Sequence, residues 1–320
     1  MLPLPDLLAE LVRLPSVNPM GRTDLPADVL YESRVSRFLE HEVRNLGVPV
    51  TRQAVAPGRD NVVATYTPPH PAPFAALFEA HQDTVPVDGM TVEPFGARVE
   101  NGRLYGRGAC DVKAGVAVML AAFARLVREK PPGSAAVTLA FTVDEEHAGA
   151  GVQELMRAGV RVDYAVVAEP TLLNIVNAHK GVARWVLETA GRACHSSRPE
   201  DGVNAVYHMA RVVTALEEYA DALRARPADP VLGPRTLAVG RIAGGTSPNT
   251  VPDFCRIDID RRLLPGETAA AAAADLTAFL GARLPADLQY TLTPSPAGCP
   301  ALGPARSGEL VTRLGACIDS

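Results

Sequence analysis

Cysteine is sparse and badly placed for a covalent framework. The five cysteines, Cys110, Cys194, Cys255, Cys299 and Cys317, are odd in number, scattered, and never in a Cys-x-x-Cys pair. That excludes a disulfide scaffold and a thiolate zinc site as organising features and points to a reduced, cytoplasmic setting. Long apolar runs are lacking too: none approaches the ~18 residues that a membrane-spanning helix needs. The opening MLPLPDLLAELVRLP is broken by Asp6, Glu10 and Arg13, so it reads as an amphipathic first helix and not as a signal peptide. Positive charge is short as well, with a net charge of -5, which argues against nucleic acid as a partner because that binding demands a basic face.

What is present is a globular balance: 320 residues, 47% hydrophobic and 21% charged, enough for two domains. From about residue 60 to 170, short apolar runs alternate with helical patterns. Strands are predicted at 61–67, 74–80, 135–143 and 164–168, with the clearest helix over 112–129. That order implies an open α/β mixed sheet with helices on both faces. From about 178 the rhythm changes to strand 181–189, helix 203–226, strands 236–242 and 254–263, helix 268–284 and strand 288–293. The order β-α-β-β-α-β is the split βαβ, or ferredoxin-like, unit. The expected organisation is a catalytic α/β domain over 1–177, an inserted lid or dimerisation domain over 178–293, and a returning catalytic-domain segment opening at 294–320. The last predicted helix, 308–318, runs to the end of the chain, as if cut in mid-course.

Open α/β sheets place ligands at their strand ends. Strand 74–80 runs into Glu79-Ala80-His81-Gln82-Asp83, strand 135–143 into Asp144-Glu145-Glu146, and strand 164–168 into Glu169-Pro170. Asp111 opens the long helix after the Gly-rich stretch 102–108. Taken singly, His-x-Asp is a common surface turn, Glu145-Glu146 a solvated loop, and Asp111 a helix N-cap. In conjunction they bring one imidazole and several carboxylates to one rim, a donor set suited to zinc, cobalt or manganese.

The segments AHQDTVP, GRLYGRGACDVKAG, FTVDEEHAGAG and AEPT resemble the metal-site motifs of the zinc-dependent amidohydrolases and exopeptidases. That family includes acetylornithine deacetylase, succinyl-diaminopimelate desuccinylase and a glutamate carboxypeptidase. The likeness extends from LVRLPSVNP to DRRLLPGE. It implies two divalent metal ions, with His81 and Glu169 on the first, Glu146 on the second, and Asp111 bridging them ahead of a cis peptide. Asp83 would orient the His81 ring, and Glu145 would be the general base. GRACHSSRPEDGVNA resembles the lid motif in which His195 reaches across a dimer to stabilise an oxyanion. GGTSPNTVPD and DRRLLPGE resemble segments whose Asn249 and Arg262 hold the substrate carboxylate. From spacing alone these three are a polar turn, a turn Asn and a strand-end Arg. His147, His179 and His208 are read as structural or solvent-facing, with His179 a candidate to line the cleft.

One part of the pattern is missing. The family takes a further histidine for its second metal from a segment after the lid, and no histidine follows His208 here. Either the chain is a shortened form of an ordinary enzyme, or it is a short variant with altered activity. The expected function is hydrolysis of the amide bond of an N-acyl amino acid, with AEPT and AHKG leaning towards the acetylornithine and succinyl-diaminopimelate side. The alternatives are a dipeptidase or carboxypeptidase of the same family acting on short peptides, and a catalytically impaired binding or dimerisation relative. A homodimer through the lid is implied by the resemblance.

Overall fold

The computed structural model describes residues 2–295, 298–304 and 307–318. The chain divides into two compact units, Met1–Asn174 and Ile175–Ser320. The first contains helices α1 (Leu4–Arg13), α2 (Ser33–Arg44), α3 (Lys113–Glu129) and α4 (Ala150–Arg157). Its strands are β1 (Val50–Ala56), β2 (Arg59–Tyr66), β3 (Ala75–His81), β4 (Arg98–Glu100), β5 (Arg103–Tyr105), β6 (Ala136–Thr142) and β7 (Tyr164–Val167). Strands β4 and β5 form a separate small hairpin, and the other five make one sheet in the order β1-β2-β6-β3-β7.

Alternation along the strands decides which helices cover which face. Val62, Ala64 and Tyr66 of β2 and Val137, Leu139 and Phe141 of β6 turn to one side, where they meet Leu7 and Leu11 of α1, Val35 and Leu39 of α2, and Val116, Leu120 and Phe123 of α3. Leu77 of β3 and Ala140 of β6 turn to the other side, onto Leu155 of α4. Each helix supplies its apolar residues at spacings of three and four, the stripe an amphipathic helix presents to a sheet. Gly151, in the first turn of α4, allows that helix to rest directly on the end of β6. A Cβ there would lie 2.3 Å from the Val143 carbonyl oxygen and 2.5 Å from its nitrogen.

Strand β3 runs parallel to both β6 and β7, whereas β2 is antiparallel to β1 and to β6. The chain leaves β3, returns on one side of it as β6, and then crosses to its other side as β7. The C-terminal ends of these strands therefore share one rim, at the point where the strand order reverses, and that is where such sheets bind ligands.

The second unit contains β8 (Gly181–Ala190), β9 (Cys194–His195), α5 (Ala205–Ala225), β10 (Thr236–Gly244), β11 (Thr250–Val251), β12 (Phe254–Leu263), α6 (Ala269–Arg283), β13 (Tyr290–Pro294) and α7 (Gly308–Ile318). Its four-stranded sheet has the order β10-β12-β8-β13, all antiparallel. This is the ferredoxin-like arrangement that the βαββαβ order predicts. Asn204 and Thr268 cap α5 and α6 by accepting from the backbone N–H of Tyr207 and Ala271. One face of the sheet, with Ala183, Trp185, Leu187, Ile257 and Ile259, is buried beneath Met209, Val212 and Leu216 of α5 and Leu276 and Leu280 of α6. The other face carries charge: Asp260 pairs with Arg184 at 3.0 Å and with Arg262 at 2.8 Å, and Asp258 with Arg256 at 3.1 Å. An antiparallel sheet with one covered and one polar face needs this alternation.

Leu187 lies at the middle of the inner strand β8 and is fully buried. Leu187→Ala should lower the unfolding free energy by about 2–5 kcal/mol, the usual cost of such a cavity. Urea denaturation followed by circular dichroism measures it, and a change within error of zero would contradict the packing described.

Candidate metal centre

His81 ends β3, and its ring is 2% exposed. Its Nδ1 donates to the backbone carbonyl of Asp83 at 2.9 Å, which leaves Nε2 facing the Asp111 carboxylate at 3.2 Å. Asp111 reaches this point because the loop after β5 brings it to the start of α3, and the peptide that follows it, Asp111–Val112, is cis. Two groups of potential ligand atoms form here, His81 with Asp111 and Glu146, and His81 with Glu145 and Glu169. Within each group the atoms lie within 4.8 Å of one another. All five residues expected at the rim are thus brought together, and His81 belongs to both groups.

The Glu145–Glu146 turn is held from beneath by a buried polar cluster. The Asp83 carboxylate, fully buried, accepts from the backbone N–H of Glu145 at 3.1 Å and of Glu146 at 3.2 Å. Its nearer oxygen is 3.7 Å from His81 Nδ1, so the ring is steadied by the Asp83 carbonyl while the carboxylate organises the turn. Asn18, 1% exposed, donates from its amide nitrogen to Asp83 at 2.8 Å and to Asp144 at 3.0 Å. Asp144 stands at φ +66°, in the left-handed region that Asp tolerates better than most residues. Arg59 donates to Asp144 at 2.8 Å and also pairs with buried Glu32. The sequence names Asp144 only as part of the Asp144-Glu145-Glu146 run at a strand end, and it singles out none of Asn18, Arg59 and Glu32. The one available signal was the position of Asn18 inside LVRLPSVNP.

Crowding sets the electrostatics. Burial chiefly, then the neighbouring acids, push Glu146 and Glu169 each up to about 7 against the opposing charge of His81. Glu145 is raised for the same reasons. For His81, burial lowers the pKa, but the Asp111 hydrogen bond and the nearby carboxylates outweigh it and raise it to about 10. Among the described residues no Lys or Arg lies within ion-pair distance of Glu145, Glu146 or Glu169. One imidazole nitrogen and several carboxylate oxygens are a hard-to-borderline donor set, so these residues fit a divalent cation of the zinc, cobalt or manganese type.

In the second unit, His195 is exposed on β9, where it pairs with Thr250 of β11. Its Nδ1 meets the Ser197 hydroxyl at 2.8 Å and accepts from the Ser197 backbone N–H at 3.2 Å. Asn249 sits beside it, its carbonyl accepting from Ser196 N at 2.9 Å. Arg262 is elsewhere. It lies eight positions along β12 from Phe254, roughly 26 Å at the rise of an extended strand, on the charged face with Asp260. The structure therefore brings His195 and Asn249 together but not Arg262.

Residues 77–314 match the family model of peptidase family M20/M25/M40. The chain belongs to that family. It is 31% identical over 270 residues to an acetylornithine deacetylase of Proteus mirabilis, covering 82% of this chain and 67% of the relative. It is 34% identical over 196 residues to an acetylornithine deacetylase of Myxococcus xanthus, covering 60% of this chain and 50% of that one. The chain thus spans half to two thirds of the length of these M20 relatives. Among solved structures, a dinuclear metal-binding peptidase of family M20 from Bacillus subtilis shares the fold, with a TM-score of 0.65 at 16% identity, over 98% of this chain and 79% of that one.

Because His81 belongs to both ligand groups, His81→Ala should weaken zinc binding more than Asp111→Asn or Glu169→Gln does singly. Titration against a chromophoric chelator reads this directly, and equal effects would remove His81 from the centre of the cluster. Protons compete for the same atoms, and Glu146 and Glu169 titrate at about 7. Zinc affinity should therefore fall as pH is lowered through 7.

Proposed function

We propose that this chain carries the centre of a two-metal hydrolase that cleaves the amide bond of an N-acyl amino acid of the acetylornithine or succinyl-diaminopimelate kind. The observation that carries the reading is His81 in reach of two carboxylate groups at once, on the rim shared by β3, β6 and β7. Identity above 30% to the Proteus and Myxococcus deacetylases supports the substrate class. The Bacillus subtilis M20 peptidase that shares this fold is dinuclear, which supports two metals. His81 and Glu169 are proposed as ligands of one cation, Glu146 of the other, and Asp111 as the bridge. Zinc is the first choice, with cobalt or manganese as alternatives.

When bound, the cations supply positive charge that polarises the amide carbonyl and acidifies a water. The remaining steps fall to the protein. Glu145 has no basic partner within ion-pair distance among the described residues, and its raised pKa equips it to take a proton. It accepts that proton from the attacking water as the carbon–oxygen bond forms, then delivers it to the amine nitrogen as the carbon–nitrogen bond breaks. Asp83 keeps Glu145 aimed through its hydrogen bond to the backbone. His195 would donate to the developing oxyanion and Asn249 would hold the substrate carboxylate, without Arg262, which stands apart from Asn249 on the charged face of β12. We carry forward as part of the same proposal a catalytic domain over 1–177, a lid over 178–293, a returning segment at 294–320, a homodimer through the lid, and a cytoplasmic setting. No helix among the described residues is long and apolar enough to cross a membrane.

The test is turnover of N-acetylornithine, N-succinyl-diaminopimelate and a set of dipeptides by the zinc-loaded chain. Acyl amino acids should be cleaved, and Glu145→Gln should lower kcat by about 10²–10⁴-fold, the usual worth of a general base, with zinc stoichiometry unchanged. Cleavage of dipeptides alone would move the reading to a dipeptidase or carboxypeptidase of the same family. Zinc bound without turnover would make the chain a binding or dimerisation relative, and no zinc bound at all would overturn the reading.

A further inference from the structure

The buried cluster beneath the Glu145–Glu146 turn has a composition that packing alone does not call for. Asp83, Asp144 and Glu32 are three carboxylates at 0%, 5% and 0% exposure, and the cation Arg59 pairs with two of them, Asp144 and Glu32. Replacing such a cluster with apolar residues of similar volume usually costs little stability and often adds some, so its presence needs another reason. Its hydrogen bonds supply one. Both Asp83 oxygens are spent on the backbone of Glu145 and Glu146. Asp144, the residue before that pair, accepts from Asn18 and Arg59 through one carboxylate oxygen, while the Ala150 N–H lies 3.4 Å from the other. Its carbonyl accepts from Gly149 N at 2.6 Å, which closes the turn.

Asn18 is the joint of this arrangement. Its amide nitrogen has two N–H groups, and they go to two different carboxylates, Asp83 at 2.8 Å and Asp144 at 3.0 Å. Its side-chain oxygen accepts from Met20 N at 3.0 Å, and its own backbone N–H donates to Thr84 O at 2.8 Å. Every polar group of the side chain is thus committed. The segment after α1 is thereby bound to both the β3 end and the β6 end, the two strand ends that carry His81 and the glutamates. No other residue type of this size could do the same: Asp would add a fourth carboxylate where Asn donates, and Leu would take one hydrogen-bond donor away from each of two buried carboxylates.

We propose that Asn18, backed by Arg59, is a positioning residue that fixes the angle at which the turn presents Glu145 and Glu146 to the cations and the substrate. It touches neither, and acts through Asp83 and Asp144. This rests on the function proposed above, but its consequence for metal binding is separable from the choice of substrate. Partners that orient ligating groups in this way change metal affinity by about 10–100-fold when removed.

The test uses the full chain and zinc alone, followed by activity. Asn18→Ala should weaken zinc binding by about 10–100-fold and lower kcat with KM little changed, in the fraction that circular dichroism shows to be folded. Arg59→Lys keeps one charge but cannot bind Asp144 and Glu32 together, so it should show the same pattern more weakly. Val43→Ala removes core volume from α2, away from the cluster, and serves as the control. It should lose stability while zinc affinity and kcat stay at wild-type values. If Asn18→Ala and Arg59→Lys behave like Val43→Ala, the cluster is structural and the proposal falls. If the wild-type chain binds zinc but cleaves no acyl amino acid, the substrate reading fails, and the zinc titrations alone still decide the role of Asn18.

Discussion

Placing several carboxylates around one imidazole is the constraint on which the first unit depends. Like charges held close in a partly dry pocket repel, and burial makes each ionised group costlier still. Nothing local to the Glu145–Glu146 turn relieves that repulsion. At the rim the relief comes from His81 at the β3 end, while the start of α3 and the β7 end add two more carboxylates, Asp111 and Glu169. Such an assembly holds only on a rigid base. The parallel set β6-β3-β7 provides one, packed on one face by α1, α2 and α3 and on the other by α4.

The elements legible in the sequence are those whose pattern is set by burial on a single face. Residues 254–263 alternate cleanly, with Cys255, Ile257 and Ile259 inward and Arg256, Asp258 and Asp260 outward, and the observed strand has the predicted bounds. Strand β1, with polar Thr51, Arg52 and Gln53 and no fully buried residue, escapes such a reading because it is a half-exposed sheet edge. The three-residue strands β4 and β5 are too short to show a period. The rim residues could be read because each follows a strand or opens a helix. The cluster beneath them could not, since Asn18 lies 126 positions from Asp144 and Arg59 lies 85 from it. A buried hydrogen-bond network carries no periodic signature.

The same alternation separates two adjacent arginines of β12. Arg261 turns inward and is 1% exposed, near Glu267 at 3.4 Å, whereas Arg262 turns outward to Asp260. Neighbours in sequence thus occupy opposite chemical environments, one fixed in the fold and the other free to meet solvent. Asking only which residue type stands at a strand end does not distinguish them. The pleat does.

The hydrogen bond from His81 Nδ1 to the Asp83 carbonyl has a consequence for symmetry at the rim. With that nitrogen committed as a donor, the imidazole offers a single lone pair, on Nε2. A lone pair serves one cation at a time, so the two overlapping groups compete for it. Whichever holds the ring gains a borderline nitrogen donor, and the other is left, from the described residues, with oxygen alone. Two ligand groups that share only this ring therefore differ in hardness, and a mixture of metals would be expected to sort between them instead of filling both alike.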